Sequence, residues 1–225
     1  MSAITVIVPA HNEAEQIGTT LQGILERRRH HQVIVVDDGS QDQTPEIAAS
    51  LGVHLVRLPK NVGKAKAVEA GLSLATGEII VLLDADLGPT ARYWPRLVEP
   101  LLTGEAQMAV ALLTSPAGTG GMGFVRKLAN WGLYFLTGQR FPAVLSGQRA
   151  FFQADLPKLL PLGSGFGLEL ALTVRAIRGG LTLAQVPLPI EHDYTGRDWA
   201  GFAHRSRQFR DIFQTILWLR RDGKP

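Results

Sequence analysis

The chain has 225 residues, 45% of them hydrophobic and 19% charged, a balance that is typical of a globular domain and excludes a disordered or fibrous chain. It contains no cysteine, which excludes disulfides, thiol nucleophiles and thiolate metal sites. The net charge of +3 is uneven, because residues 197–225 hold seven Lys/Arg against three Asp. No apolar run approaches the roughly 18 residues that span a bilayer, so we expect a cytoplasmic protein, or one held peripherally at the inner face of the membrane.

The first 90 residues alternate apolar, β-branched runs with helical segments. Helices are predicted to begin after Asn12 and near Thr44, and a third is predicted at 63–75. Strands and helices that alternate at such short spacing predict parallel βαβ units. The expected fold is therefore a Rossmann-like α/β domain, with a mostly parallel sheet and helices on both faces. The apolar runs predict strands at residues 4–10, 32–37, 53–58 and 79–83.

After residue 90 the alternation is less regular. The glycine-rich segment 115–123 is interpreted as a candidate lid. Helices are predicted at 91–102, 124–136 and 167–178, and strands at 107–113, after 146 and at 181–190. We see no linker, so residues 1–225 are expected to form one domain. An amphipathic C-terminal helix is predicted at 199–221, its apolar side carrying Phe202, Phe209, Ile212, Phe213, Ile216 and Leu219.

Two strands of the predicted sheet end in paired carboxylates. Asp37 and Asp38 close the second strand, and Asp84 and Asp86 follow the apolar run at 79–83. The C-terminal ends of parallel strands gather at one edge of the sheet, where open α/β sheets bind their ligands. In an extended chain Asp84 and Asp86 point the same way, so they would share one hard divalent cation. The alternative is that the pair forms only an Asx turn.

Four segments occur in the order found in a known family. They read Val-Ile-Val-Pro-Ala-His-Asn-Glu at 6–13, Val-Val-Asp-Asp-Gly-Ser at 35–40, Asn-Val-Gly-Lys-Ala at 61–65 and Leu-Asp-Ala-Asp-Leu at 83–87. This pattern resembles the family 2 glycosyltransferases, which have the GT-A fold. Weaker similarity at Ser146-Gly-Gln-Arg-Ala and Gly165-Phe-Gly-Leu-Glu resembles the polyprenyl-phosphate sugar synthases, including dolichyl-phosphate mannose synthase.

The resemblance implies a hexosyltransferase that uses a UDP- or GDP-linked sugar with Mg²⁺ or Mn²⁺. Residues 1–90 would form its nucleotide-binding half and residues 91–225 its acceptor half and C-terminal helix. Asp86 would bind the metal, and His192 would complete the metal shell unless it is an ordinary surface histidine. Simple alternatives are a helix cap for Asn12, a turn cap for Asp38 and a solvated helix start for Lys64. The implied nucleotide-binding residues are Pro9, Ala10, Asn12, Glu13, Asp37, Asp38, Lys64 and Asp84.

The acceptor side rests on fewer residues. Glu169 would act as general base, or would only orient an acceptor phosphate that is already ionised. Its alternative is a first-turn glutamate that complements the helix dipole. Asp84 and Arg149 are the other implied catalytic residues, although Arg149 would also suit an exposed salt bridge. The implied acceptor-binding residues are Ser146, Gly147, Gln148 and Arg149, and those for the diphosphate or an acceptor anion are Arg197, Arg205 and Arg207.

Three functions remain open. The first is transfer to a polyprenyl phosphate or another membrane-linked acceptor. The second is retaining transfer to a small anionic acceptor, because Gly165-Phe-Gly-Leu-Glu and His192 resemble the glucosyl-phosphoglycerate synthases. The third is a sugar-nucleotide binding protein without catalysis, whereas a dinucleotide-dependent oxidoreductase is disfavoured because no Gly-x-Gly-x-x-Gly follows the first strand. Peripheral membrane contact and a homodimer are further predictions, and no nucleic acid partner is expected.

Overall fold

The computed structural model describes residues 3–26, 31–113, 123–189 and 199–222, with the backbone alone for 113, 123 and 199–207. The candidate lid at 115–123 therefore lies almost wholly outside the described residues. The strands are β1 (Ile4–Ala10), β2 (His31–Asp37), β3 (His54–Arg57), β4 (Ile79–Leu82), β5 (Met108–Leu113), β6 (Arg149–Phe152) and β7 (Leu183–Leu188). The helices are α1 (Ile17–Leu25), α2 (Thr44–Ser50), α3 (Lys64–Leu74), α4 (Pro95–Leu102), α5 (Gly123–Thr137), α6 (Leu156–Leu159), α7 (Leu168–Arg178) and α8 (Trp199–Asp222).

The strands form one sheet in the order β3-β2-β1-β4-β6-β5-β7. All neighbours are parallel except β6, which runs antiparallel to both β4 and β5. Ile7 of β1 lies between Ile34 and Leu82 in this register, and all three are buried. Aliphatic strands buried on both faces need cover on both sides, which explains their nearly continuous apolar sequence. The prediction of a mostly parallel α/β sheet is confirmed.

Helices cover both faces of the sheet, as predicted. One buried cluster joins α3, α5, α7 and α8 to one face, and a second joins α1 and α4 to the other. Both halves of the chain contribute strands to this sheet, since β6 from the second half pairs with β4 from the first. In the described part of the chain, no helix combines the length and the apolar character needed to cross a membrane.

Two helix predictions need correction. The helix predicted at 91–102 is split into a 3₁₀ turn at Gly88–Tyr93 and α4, because Pro95 fits the first turn of a new helix. The apolar side of α8 is not one buried face. Ile212, Ile216 and Leu219 are buried, whereas Phe209 and Phe213 remain exposed, and the side chain of Phe202 is outside the described residues.

Candidate active site

An open cleft of about 710 Å³ lies at the C-terminal ends of the first strands, where parallel sheets bind ligands. Its size suits a small molecule of nucleotide class. Asp37 ends β2 in this cleft, almost fully buried, and its Oδ1 accepts a hydrogen bond from the Ser40 N–H at 3.2 Å. Its Oδ2 lies 3.8 Å from Arg57 Nε. The cleft is lined by His11, Asn12, Asp37, Gly39, Ser40, Gln41, Arg57, Leu58, Pro59, Lys60 and Asn61.

Asn12 joins the two loops that border the cleft. Its N–H donates to Ser40 Oγ at 2.9 Å, and its Oδ1 accepts from the Gln41 N–H at 2.9 Å. Its φ of 55° lies in the left-handed region, which asparagine tolerates better than most residues. The alternative of a helix cap is wrong, because α1 begins only at Ile17. Asn12 therefore lines the cleft as predicted and also fixes its shape.

Asp38 holds the loop that precedes α3. Its two carboxylate oxygens accept hydrogen bonds from the N–H groups of Val62 and Gly63, both at 2.8 Å, and the side chain is buried. Gly63 has φ of 94°, a conformation that favours glycine. The contact of Asp38 with a nucleotide stays a prediction, while its oxygens bind the backbone of this loop. Its role is to place Lys64 at the start of α3.

Lys64 bridges two carboxylates from opposite parts of the chain. Its Nζ lies 2.6 Å from Asp84 Oδ1 and 2.8 Å from Glu169 Oε1. Burial lowers the pKa of Lys64, but the two carboxylates raise it more, so that its net pKa lies above the ordinary value. The alternative of a solvated lysine is wrong. Lys64 instead brings the predicted catalytic residues Asp84 and Glu169 together, although they are 85 positions apart in sequence.

The other oxygen of Asp84 is held by the segment before β6. Gln148 Nε2 donates to Asp84 Oδ2 at 2.6 Å, and Ser146 Oγ donates to Gln148 Oε1 at 3.0 Å. A Cβ on Gly147 would lie 2.5 Å from Asp84 Oδ2, so only glycine fits there. Ser146 and Gln148 are buried and orient Asp84, and their contact with an acceptor stays a prediction. Gly147 alone of the three is partly exposed beside the site.

Arg149 is completely buried, so the alternative of an exposed salt bridge is wrong, and its catalytic and acceptor-binding roles stay predictions. Its guanidinium donates to the backbone carbonyls of Ser146 and Glu169. Burial lowers its pKa to about 10, against the opposing effect of Glu169 and Asp84, so it stays charged at neutral pH. Arg149 therefore ties the loop that holds Asp84 to the start of α7 and supplies positive charge from behind the site.

The Glu13 carboxylate is repelled by two other carboxylates of the site, those of Asp86 and Asp84. Burial, and then the charges of Asp86 and Asp84, together raise the pKa of Glu13 to about 7. A divalent cation bound beside these carboxylates would relieve their repulsion. Carboxylate oxygens also fit a divalent cation that takes its other ligands from substrate phosphates. No ready-made cluster of three metal-binding side chains occurs among the described residues, and His192 lies outside them.

The remaining predicted residues divide into three groups. Pro9 lines a small pocket with Lys64 and Asp84, not the large cleft. Ala10 has its side chain in the core, and its carbonyl accepts from the Asp38 N–H, so its nucleotide contact stays a prediction. Arg197 is outside the described residues, as are the side chains of Arg205 and Arg207. Sequence reasoning missed Arg57, a basic residue at the C-terminal end of β3 that borders the cleft.

The chain matches known proteins over most of its length. The family model described as Glycosyl transferase family 2 matches residues 5–145. Glucosyl-3-phosphoglycerate synthase of Mycolicibacterium paratuberculosis is 30% identical, over 95% of this chain and 71% of that protein. Dolichol-phosphate mannosyltransferase of Pyrococcus furiosus is 34% identical, but over only 45% of this chain and 30% of that protein.

One solved structure extends the similarity to the whole fold. The crystal structure of glucosyl-3-phosphoglycerate synthase from Mycobacterium tuberculosis, in complex with Mn²⁺, UDP and phosphoglyceric acid, has a TM-score of 0.83. It is 27% identical and covers 100% of this chain and 80% of its own. The similarity therefore includes the second half of the chain, where the sequence predicted the acceptor side.

Proposed function

The chain belongs to glycosyltransferase family 2, and we propose that it transfers the sugar of a UDP-linked sugar to a small anionic acceptor of the phosphoglycerate kind, with release of UDP. One observation carries the choice of acceptor. The similarity to the glucosyl-3-phosphoglycerate synthases extends over almost the whole chain, whereas that to the dolichol-phosphate mannosyltransferase covers less than half. The acceptor that the sequence analysis placed second is therefore better supported than the polyprenyl phosphate that it placed first.

The cleft at the ends of β1, β2 and β3 takes the nucleotide in this proposal. The buried Asp37 carboxylate accepts a hydrogen bond from a ring N–H of the base, and the carboxylate is held for this by Ser40. Burial makes this contact strong, because the charged acceptor has little competing water. Asn12 keeps the two bordering loops at the distance that admits the base.

The donor diphosphate then lies toward Asp86 and Glu13. These carboxylates would hold Mg²⁺ or Mn²⁺, which when bound supplies positive charge to the leaving nucleoside diphosphate. Asp84 faces the sugar, with its two oxygens fixed by Lys64 and Gln148. Because both hydrogen bonds hold the same carboxylate, its orientation is set before substrate arrives.

The acceptor side is built around Glu169 and Lys64. The Lys64 side chain is 35% exposed, so its ammonium can meet an anionic acceptor while it remains paired with the two carboxylates. Its raised pKa keeps it charged throughout the neutral range. Glu169 lies at the first turn of α7, where it orients the acceptor hydroxyl. In this proposal the exposed part of the Lys64 ammonium pairs with the charged group of the acceptor, and the buried Arg149 supplies further positive charge from behind the site.

An acceptor assay tests the proposal. We expect transfer from UDP-glucose to 3-phosphoglycerate in the presence of Mn²⁺, with the α-configuration of the donor retained in the product, as NMR of the anomeric proton would report. The matched reactions use GDP-mannose as donor and a short polyprenyl phosphate as acceptor. Transfer to the polyprenyl phosphate alone would instead support the first hypothesis, and nucleotide binding without transfer or donor hydrolysis would support the non-catalytic one.

The Asp37→Ala variant tests the nucleotide cleft by itself. Loss of a buried, charged acceptor is expected to weaken UDP binding roughly tenfold or more, as measured by calorimetry. Glu46→Ala is the matched control, because Glu46 also lies near Arg57, at 3.6 Å, but its side chain is 62% exposed. Unchanged UDP affinity in Asp37→Ala would show that the base does not bind at Asp37.

A further inference from the structure

An apolar stripe runs along the exposed side of α5. Phe124, Leu128, Trp131 and Phe135 are spaced by four, three and four residues, which places them on one side of a helix. Phe124 is 80% exposed, and Trp131 and Phe135 are each more than half exposed. The rings of Trp131 and Phe135 stack, with centroids 5.4 Å apart. Large aromatic side chains in such a row are rare on a surface that faces only water.

Helix α8 extends this surface. It packs closely on α5, because a Cβ on Gly132 would lie only 2.4 Å from Ile216 Cδ1. Arg220 of α8 lies over the Phe135 ring, with Cζ 5.7 Å from its centroid, so the exposed sides of the two helices adjoin. We call this surface the aromatic face. It comprises Phe124, Trp131, Phe135, Phe209, Phe213 and Leu217, which are between 41% and 80% exposed.

The two helices are strongly basic. Their sequences hold seven Lys/Arg against two Asp, a net charge of +5, whereas the rest of the chain has a net charge of −2. Both aspartates are bound away from the aromatic face, since Asp211 accepts from the Phe166 N–H and Asp222 pairs with Arg175. Lys127 lies over the Phe124 ring, with Nζ 5.9 Å from its centroid. Cations therefore border the exposed aromatic rings.

We propose that the aromatic face docks the enzyme on an anionic lipid surface. Aromatic rings bordered by Lys and Arg match the composition of helices that lie in the membrane interface. Anionic lipid headgroups complement the net charge of these helices. A second copy of the chain fits less well, because both copies would bring a surface of the same net positive charge to the contact.

A single packing contact connects the aromatic face with the acceptor side of the active site. Helix α8 packs on the turn Gly165–Gly167, which leads directly into α7 and Glu169. Docking would therefore hold the acceptor side of the site near the lipid surface. The inference does not depend on the identity of the acceptor, since it rests on surface residues that take no part in the proposed transfer.

Vesicle co-sedimentation tests the docking. We expect the protein to bind vesicles with about 30 mol% phosphatidylglycerol and to bind pure phosphatidylcholine much more weakly. The double variant Trp131→Ser with Phe135→Ser is expected to lower the partition coefficient roughly tenfold. Charge reversal in Lys127→Glu with Arg220→Glu is expected to lower it at least as much. The matched controls are Leu102→Ser and Arg96→Glu on α4, which is exposed on the opposite face of the sheet.

The outcomes separate the hypotheses. If the wild-type protein does not bind anionic vesicles, or if the aromatic variant binds them as well as the wild type does, the proposed docking on lipid is wrong. A dimer in sedimentation equilibrium that the aromatic variant dissociates, without vesicle binding, would assign the aromatic face to a second copy. Transfer to a soluble acceptor is expected to be unchanged in these variants. Failure of docking therefore leaves the proposed function intact, and failure of transfer leaves vesicle binding intact.

Discussion

Asp86→Asn is expected to abolish metal-dependent donor binding and to lower the transfer rate by roughly three orders of magnitude, because the charge supplied by a metal is worth several kcal/mol. The fold should survive. Replacing Asp86 by a neutral amide relieves the repulsion that Glu13 experiences from it. Calorimetry of UDP binding with and without Mn²⁺ measures the first effect, and thermal unfolding without metal measures the second.

Asp42→Asn is the matched control for Asp86→Asn. Asp42 is an exposed carboxylate near the same edge of the sheet, where it accepts hydrogen bonds from Ala14 and Thr44. An asparagine keeps an acceptor oxygen there, so the manganese dependence of UDP binding should persist. If Asp86→Asn transferred the sugar as fast as the wild type, Asp86 would not be a metal ligand, and Glu13 would be the other carboxylate to test.

The edge of the sheet that carries the site was predictable, because each strand and its C-terminal end are marked by the local sequence. Buried parallel strands need continuous aliphatic sequence, and the polar residues that end such runs mark their C-terminal ends. Asp37, Asp84 and Asp86 were found in this way, and the structure brings their strand ends together as expected. The structure does not by itself assign them to nucleotide or metal, so these roles stay predictions.

The burial of Arg149 was not predictable from the segment Ser146-Gly-Gln-Arg. Strand β6 is antiparallel to its neighbours, so its first residue, not its last, lies at the edge where the parallel strands end. Arg149 opens β6 and pairs with Leu82 and Val110, and its guanidinium is buried against the Glu169 carbonyl at the start of α7. A polar sequence such as Ser-Gly-Gln-Arg gives no sign of this burial, since it reads equally well as an exposed loop.

Asn12 and Asp38 show a second limit of sequence reasoning. Each is a polar residue at a strand end, and each was expected to contact a ligand or cap a local turn. Asn12 binds the loop after β2, and Asp38 binds the loop before α3, across 24 to 29 positions of sequence. Only the spatial proximity of these loops decides which backbone groups the side chains meet, and sequence spacing does not encode it.

Lys64→Met is expected to lower the transfer rate roughly a hundredfold while UDP binds the cleft almost as well as before. Methionine keeps most of the length of the side chain but removes the charge that Asp84 and Glu169 share. Without that charge the two carboxylates repel each other. The loss of stability should be only about 1 kcal/mol, since the lysine is 35% exposed and its ion pairs are partly screened.

Two comparisons separate a role in the reaction from a structural one. Lys66→Met is the matched control, because Lys66 lies two positions after Lys64 on the same helix and pairs with Glu69 on the exposed surface. The Lys66→Met variant should change neither the transfer rate nor the affinity for UDP. Lys64→Arg keeps the charge and should recover part of kcat, although a planar guanidinium cannot reproduce both contacts of the ammonium. If Lys64→Met instead unfolds at a much lower temperature but keeps its kcat, the lysine only stabilises the fold, and the charge that meets the acceptor must come from elsewhere.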